Sequence, residues 1–293
     1  MRVLIIGCGY VGLPLGVELL RQGHAVCGLR RSEAGAARLR SAGLQAVTAD
    51  ITRRGDLARL PPAYDWVVNT VSSGTGGVEE YQEVYFEGAR NVIQWLAPAP
   101  PQKFIHVSST SVYGQTDASQ VKETSPAEPA TQTGRILLAA EKLLLDAVRE
   151  RQFPAVLLRA AGIYGPGRGH YLLQFIQGAA QISGRGERWL NMIHRDDVAG
   201  AILTALRSGR AGEIYNLVDD EPVQQIHFFR WLSETLGRNM PPFVPEAAAK
   251  RGDTNKRVLN RKLKMELGHV FRYPTFRQGC TAEIQRLEDE GLL

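Results

Sequence analysis

The sequence predicts an α/β fold, a doubly wound parallel sheet with a smaller C-terminal α/β domain interleaved with it, on three observations. Short apolar runs rich in β-branched residues alternate with segments of helical period from Val3 as far as Leu158. A Gly-x-Gly-x-x-Gly spacing, Gly7-Cys8-Gly9-Tyr10-Val11-Gly12, stands directly between the first apolar run and the first helical segment. Beyond Tyr164-Gly165-Pro166-Gly167 the alternation loosens into helices around a single strand.

Taken in chain order, the expected strands run Val3 to Ile6, Ala25 to Leu29, Leu44 to Thr48, Trp66 to Thr70, Phe104 to Val107 and Ala155 to Leu158. The expected helices between them run Val11 to Gln22, Ser32 to Ser41, Glu79 to Leu96 and Gly134 to Arg151, with Gly23 closing the first and Pro98 stopping the third. The C-terminal part predicts helices over Tyr171 to Ile182, Val198 to Arg207 and Gln225 to Leu236, and a strand over Glu213 to Leu217. The division this implies is 1–165 for the first domain and 166–293 for the second, with segments near 192–217 returning to the first. Helix 134–151 is apolar on more than one face, through Ile136, Leu137, Leu138, Leu143, Leu144, Leu145 and Val148. A surface helix needs one such stripe, so a second subunit or the second domain is expected to cover the surplus, and a homodimer is the expected state.

With 293 residues, 44% hydrophobic and 22% charged, the chain has ordinary globular composition and room for about two domains, which excludes disordered, collagenous and coiled-coil classes. No apolar run nears the roughly 18 residues that cross a bilayer, and Gly7 interrupts the opening apolar stretch before a signal peptide could form, so no membrane association and no export are expected. Cys8, Cys27 and Cys280 form no CxxC pair, which points to the reducing cytoplasm and away from disulfides. The six histidines have no metal-ligand spacing, and no metal is expected. The net charge of +5 is concentrated in Lys250 to Lys264, where seven Lys and Arg residues face only Asp253. One basic segment on a near-neutral body suits a phosphorylated small molecule or a solvated basic face, and no nucleic-acid partner is expected, since a nucleic-acid track needs a longer basic stripe.

The glycine spacing carries the most specific chemistry. In a strand-to-helix turn of a Rossmann fold, Gly7 permits the tight turn, Gly9 lets backbone approach a pyrophosphate, and Gly12 lets helix and strand pack closely, with the anion on the helix N-terminus. Pro14 falls in the first helical turn, where its missing N–H is harmless. Where a carboxylate would bind the ribose of NAD, the second strand ends in Leu29-Arg30-Arg31-Ser32, two guanidiniums suited to a 2′-phosphate. NADP is therefore the expected cofactor, with NAD as the alternative. Asp50 is placed either to accept from the adenine amino group or to cap a turn. Tyr10, Val11, Ile51, Thr70 and Val71 complete the expected cofactor contacts.

From this loop through nearly its whole length the chain resembles an extended short-chain dehydrogenase/reductase of the NAD-dependent epimerase/dehydratase family. The resemblance also rests on His106-Val107-Ser108-Ser109-Thr110-Ser111-Val112-Tyr113-Gly114, Leu158 to Arg168, Met192-Ile193-His194-Arg195-Asp196-Asp197-Val198-Ala199, and Leu263 to Gly268. Lys122-Glu123-Thr124-Ser125-Pro126 and Thr133-Gly134-Arg135 further resemble the atypical YeeZ-like subgroup. The family's catalytic set is a serine or threonine, a tyrosine, and a lysine four residues later. Ser109 matches the serine, although a loop serine bonding backbone reads the same way. Counting back from Glu141 puts Thr133 at the tyrosine position and Leu137 at the lysine position, and Lys142 points elsewhere on the helix.

That departure limits the chemistry. The tyrosine serves as acid and base because a neighbouring ammonium lowers its pKa, which a threonine hydroxyl without a cation cannot reproduce. Ordinary ketone reduction is expected to be very slow, with Tyr113, Tyr164, Glu123 and His194 as substitute acids if they face the cleft. The resemblance implies a nucleotide-linked or phosphorylated small-molecule substrate, such as a nucleotide sugar, with Tyr113, Gly162, Tyr164 and His194 as expected contacts, and the basic segment adds Lys256 and Arg257 for the ligand's phosphates. The rival expectation is a non-enzymatic NADP(H)-binding sensor or regulator.

Overall fold

The structure, a computed structural model, describes residues 1–74, 76–245 and 254–293. Seven parallel strands form the central sheet: β1 (Arg2–Ile6), β2 (Ala25–Arg30), β3 (Gln45–Thr48), β4 (Trp66–Asn69), β5 (Lys103–Ser109), β7 (Ala155–Ala160) and β12 (Ile214–Leu217), in the order β12-β7-β5-β4-β1-β2-β3. The six strands expected before residue 160 all form, within a residue or two at their ends. The seventh comes from the predicted strand after Glu213, which pairs parallel with β7 through Ile214↔Leu157 and Leu217↔Ala160. Strand order reverses between β1 and β4, the place where open α/β sheets bind ligands at their C-terminal edge.

Helices cover both faces. On one, α1 (Gly12–Arg21), α2 (Glu33–Ser41), α8 (Arg195–Ser208) and α10 (Arg261–Leu267) bury Leu15, Leu39, Ile202 and Leu263 against Val3, Ile5 and Ile105. On the other, α3 (Arg54–Ala58), α5 (Gly88–Leu96) and α6 (Gln132–Arg151) bury Leu57, Val92, Ile93 and Leu144 against Leu4, Ile6 and Phe104. Alternate residues of each central strand thus enter different cores, which is why these strands read as unbroken apolar runs. The expected helix 79–96 is helical throughout: α4 (Val78–Tyr81) passes through a π turn at Gln82–Glu87 into α5.

A third core gathers Phe175, Phe228, Phe229, Leu232, Phe276 and Ile284 from α7 (His170–Ile176), α9 (Gln225–Leu236) and α11 (Phe276–Asp289). The expected helix to Ile182 stops at Ile176, because Gly178 takes φ +70°, and Ile182–Ser183 forms a short strand, β9, beside β14 (Phe243–Val244). Three short parallel or antiparallel ladders were not expected: β8 (Gly162–Tyr164) with β11 (Met192–His194), β10 (Trp189–Leu190) with β13 (Val223–Gln224), and β6 (Ser119–Val121) with β15 (Lys256–Val258).

One expectation needs correction. Lys250, Arg251 and Asp253 lie outside the described residues, and the rest of the basic stretch is not one basic face: Lys262 pairs with Glu213, and Lys264 with Asp220. On α6 the chain itself buries Ile136, Leu137, Ala140, Leu144 and Ala147, leaving Leu138, Leu143, Leu145 and Val148 half-buried. Among the described residues no helix is long and apolar enough to cross a membrane.

Candidate functional site

The C-terminal edge of the sheet holds the glycine turn. Gly7 has φ +71°, and a Cβ there would stand 2.7 Å from the Val71 backbone, so the turn lies directly on the segment leaving β4. A Cβ at Gly12 would stand 2.9 Å from Ile5 Cγ2 and 3.1 Å from Thr70 Oγ1. The Thr70 hydroxyl donates to the Ile6 and Gly7 carbonyls at 3.1 and 3.2 Å and locks the two segments together. Val11 is buried, and the half-buried Tyr10 ring lies between the guanidiniums of Arg168 and Arg195, at 5.2 and 5.4 Å.

Beside this turn is a cavity of about 350 Å³, lined by Gly7, Arg30, Arg31, Asp50, Ile51 and Val71 among others. Asp50 Oδ1 accepts from the Thr52 N–H and hydroxyl at 2.9 and 2.8 Å, so the side chain caps its turn and also faces the cavity. The Arg30 guanidinium packs against Gly9, in the space a Cβ there would take, and reaches a second cavity of about 370 Å³ with Tyr10, Arg38 and Arg195. Ser32 caps α2 by accepting from the Gly35 N–H. The end of β2 therefore presents cations and a hydroxyl, without a carboxylate of its own.

Ser109 ends β5 and accepts from the Ser111 N–H at 3.1 Å, capping the single 3₁₀ turn Thr110–Val112; its own hydroxyl proton is not used in that contact. Thr133 is buried in the first turn of α6, with Oγ1 3.2 Å from Thr131 Oγ1. Leu137, one turn on, is buried with Val112, Tyr113, Val121, Val218 and Val258. Beneath lies an ionic network: Glu141 accepts from the Ser108 hydroxyl at 2.6 Å and from Arg159 at 2.6 to 3.2 Å, both partners being buried. Arg159 also donates to the Tyr113 hydroxyl at 2.8 Å, and that hydroxyl donates to Asn216 Oδ1 at 2.9 Å.

Across the 3₁₀ turn opens a cavity of about 300 Å³ whose lining includes Thr110, Gly162, Tyr164, His170, Arg188, Trp189 and Lys256. Lys256 is 3% exposed. Its ammonium donates to the Tyr113 carbonyl at 2.9 Å and to the Thr254 hydroxyl, and burial, with Arg188 adding, lowers its pKa to about 8. Arg257 donates to the Ala118 carbonyl and stacks over Trp189 at 5.2 Å.

Several expected contacts turn inward. The Tyr113 hydroxyl belongs to the Arg159 network, and Glu123 accepts from the Asn216 N–H. His194 Nδ1 accepts from the Asp196 N–H, capping α8, while Nε2 meets Glu283 at 3.2 Å. Tyr164 lines the cavity with its ring, but its hydroxyl packs onto Gly279 of α11, and burial raises its pKa. Arg188, Trp189, His170 and Thr254 were missed. His170 opens α7, and the other three come from loops and a two-residue strand, where no spacing announces them.

The chain matches the family described as the NAD dependent epimerase/dehydratase family over residues 3–217, from β1 to the end of β12. It is 28% identical over 283 residues to Protein YeeZ of Escherichia coli (strain K12), covering 93% of this chain and 96% of that one. It is 26% identical over 272 residues to dTDP-6-deoxy-L-talose 4-dehydrogenase (NAD(P)(+)) of Kitasatospora kifunensis, covering 86% and 83%. The dTDP-glucose 4,6-dehydratase DesIV of Streptomyces venezuelae, solved with NAD bound, has the same fold, with a TM-score of 0.84 at 23% identity over 99% of this chain and 97% of that one.

Proposed function

The chain belongs to the NAD dependent epimerase/dehydratase family, in the extended short-chain dehydrogenase/reductase class, and on that premise we propose that it binds NADP(H) and acts as an oxidoreductase or epimerase on a nucleotide-linked or phosphorylated small molecule. The observation that carries this reading is the glycine turn, where a Cβ at Gly7 would meet the Val71 backbone and one at Gly12 would meet Ile5, beside a cavity ending in two arginines. The residues fit a dinucleotide. Gly7, Gly9 and Gly12 would hold the pyrophosphate at the start of α1, with Tyr10 and Val11 beside it. Arg30 and Arg31 would take the ribose phosphate, Asp50 and Ile51 the adenine, and Thr70 and Val71 the inner ribose. Bound there, the nicotinamide would supply or take up a hydride.

A nucleotide sugar is supported as the substrate class by the names of the dTDP-sugar relatives, and by Arg188, Lys256 and the Trp189 ring facing one cavity. Residues 1–165 serve the cofactor and 166–293 the substrate in this reading, with 192–217 returning to the sheet. The half-buried leucines of α6 support a homodimer through that helix. Three buried free cysteines support the cytoplasm. Counted from Glu141, Thr133 and Leu137 would take the places of the usual acid and its cation, which supports the second reading, an NADP(H)-binding sensor without turnover.

Calorimetric titration with NADPH and NADH, followed by a screen of dTDP-6-deoxy-L-talose and UDP-glucose by reduced-nicotinamide absorbance, tests both. NADPH is expected to bind, with turnover below the ~1–10³ s⁻¹ of ordinary enzymes. The folded double variant Thr133→Tyr with Leu137→Lys is expected to gain hydride transfer. Failure of both cofactors to bind overturns the proposal, whereas tight NADPH binding with no hydride transfer by either protein supports the sensor.

A further inference from the structure

The cavity beside the 3₁₀ turn contains a lysine where lysines are rarely found. Lys256 sits on β15, held against β6 through Lys256↔Ser119, so its backbone is set by a ladder. Its amine bonds the carbonyl of Tyr113, the residue that closes the turn capped by Ser109. Tyr113 is itself pinned by Arg159 and Asn216, so the amine, Thr110 and Ser109 are tied to one rigid turn at the end of β5. Among the described residues, no Asp or Glu lines the cavity. The amine bonds two neutral oxygens, and among the described residues the charge facing it is the Arg188 guanidinium; Arg257 turns away to Ala118 and Trp189, and the other titratable groups of the lining are His170, Tyr164, Tyr171 and Cys280.

We propose that Lys256 is the proton donor of this cleft, its ammonium hydrogen-bonding the oxygen of a carbonyl substrate beside Ser109 and Thr110 and so replacing the absent tyrosine and lysine. This rests on the reading of the chain as a nicotinamide-dependent enzyme. In the reducing direction the carbonyl carbon gains a hydride from the reduced dinucleotide, the π pair moves onto oxygen, and that oxygen takes a proton from the Lys256 ammonium. The neutral amine left behind regains its proton from water, and oxidation runs the same transfers in reverse. An amine whose pKa burial has brought to about 8 can take and return a proton near neutrality, as a general acid and base must. The alternatives in the cleft are less suited: the Tyr113 hydroxyl and the His194 ring are bonded within the fold, and the Tyr164 hydroxyl faces α11.

Two measurements on the full chain decide it. Pulse acylation with acetic anhydride from pH 6 to 10, read by peptide mass spectrometry, is expected to give Lys256 a half-maximal reactivity near pH 8, with exposed Lys122 and Lys142 following about two pH units higher. Titration of Lys256 together with those lysines, or no reaction at any pH, overturns the proposal. With dTDP-6-deoxy-L-talose and NADP⁺, Lys256→Met is expected to lower kcat about 100-fold or more and to remove the pH-rate limb near 8. NADPH affinity is expected to stay unchanged in Lys256→Met and in Lys256→Arg, which keeps the charge and guards against misfolding. A folded Lys256→Met with the wild-type pH profile overturns the proposal. Absence of NADPH binding to the wild type instead overturns the underlying cofactor reading, and the acylation profile distinguishes the two failures.

Discussion

Replacing Arg30 by alanine is expected to remove most of a preference for NADPH over NADH. Arg30 ends β2, its guanidinium packs on Gly9, and it lines both cavities flanking the glycine turn. A guanidinium on a phosphate is a charge-assisted contact worth about 1.5–3 kcal/mol, and Arg30 is only half-buried, which places it toward the lower part of that range. At 1.4 kcal/mol per tenfold, the wild type should bind NADPH about 10- to 100-fold more tightly than NADH, and Arg30→Ala should bring the ratio within a fewfold of unity. Arg31 is exposed, so Arg31→Ala should change the ratio by about fivefold or less, in line with exposed ion pairs. Arg30→Asp should invert the preference by offering the ribose hydroxyl a carboxylate. The assay is fluorescence titration of both cofactors at 0.1 M and 0.5 M salt, since the phosphate contact weakens on screening. A wild-type ratio near one, or a large ratio untouched in Arg30→Ala, would refute the assignment of the second-strand arginines to the 2′-phosphate.

Two further predictions concern the scaffold. Glu141→Gln leaves the buried Arg159 guanidinium uncompensated and should destabilise the fold by about 3–5 kcal/mol, visible as a melting temperature lower by about 10 °C; a loss under about 1 kcal/mol would mean that the network is solvated. His106 is fully buried on β5 with Nδ1 near Asn69, and burial lowers its pKa to about 4, against about 6.5 unfolded. Between those values the unfolded chain binds the extra proton, so this group's stability is intact above pH 6.5 and declines as pH falls toward 4, by up to about 3 kcal/mol. Urea denaturation at pH 7 and pH 4.5 should show a smaller acid loss in His106→Gln than in the wild type, and equal losses would count against it.

The central sheet was legible because of where its strands lie. Leu4 and Ile6 enter one core while Val3 and Ile5 enter the other, so β1 reads as an uninterrupted apolar run, and β2, β4, β5 and β7 repeat the pattern. The glycine turn was legible for a stricter reason: a Cβ on Gly7 would stand 2.7 Å from the Val71 backbone, so the residue type itself records the geometry. The spacing of Thr133, Leu137 and Glu141 along α6 could be counted as well, since a helix converts sequence spacing directly into position. Each of these is a local relation between residue type and backbone.

What only the tertiary structure decided concerns residues brought together from far apart. Lys256 meets the Tyr113 carbonyl across 143 positions through a three-residue strand, too short to carry a period that a sequence could display. The basic stretch was visible as a total, yet Lys262 and Lys264 are paired with Glu213 and Asp220, while Lys256 faces a cavity that no carboxylate lines among the described residues. Tyr113 and His194 stood in promising motifs, and packing turned both inward. Composition and spacing determine which charges and rings the chain owns and which segments become strands and helices. Which of those groups reaches the cleft depends on long-range pairing and burial, because a side chain's partners, and hence its charge state and its use, are set by whatever the folded chain places against it.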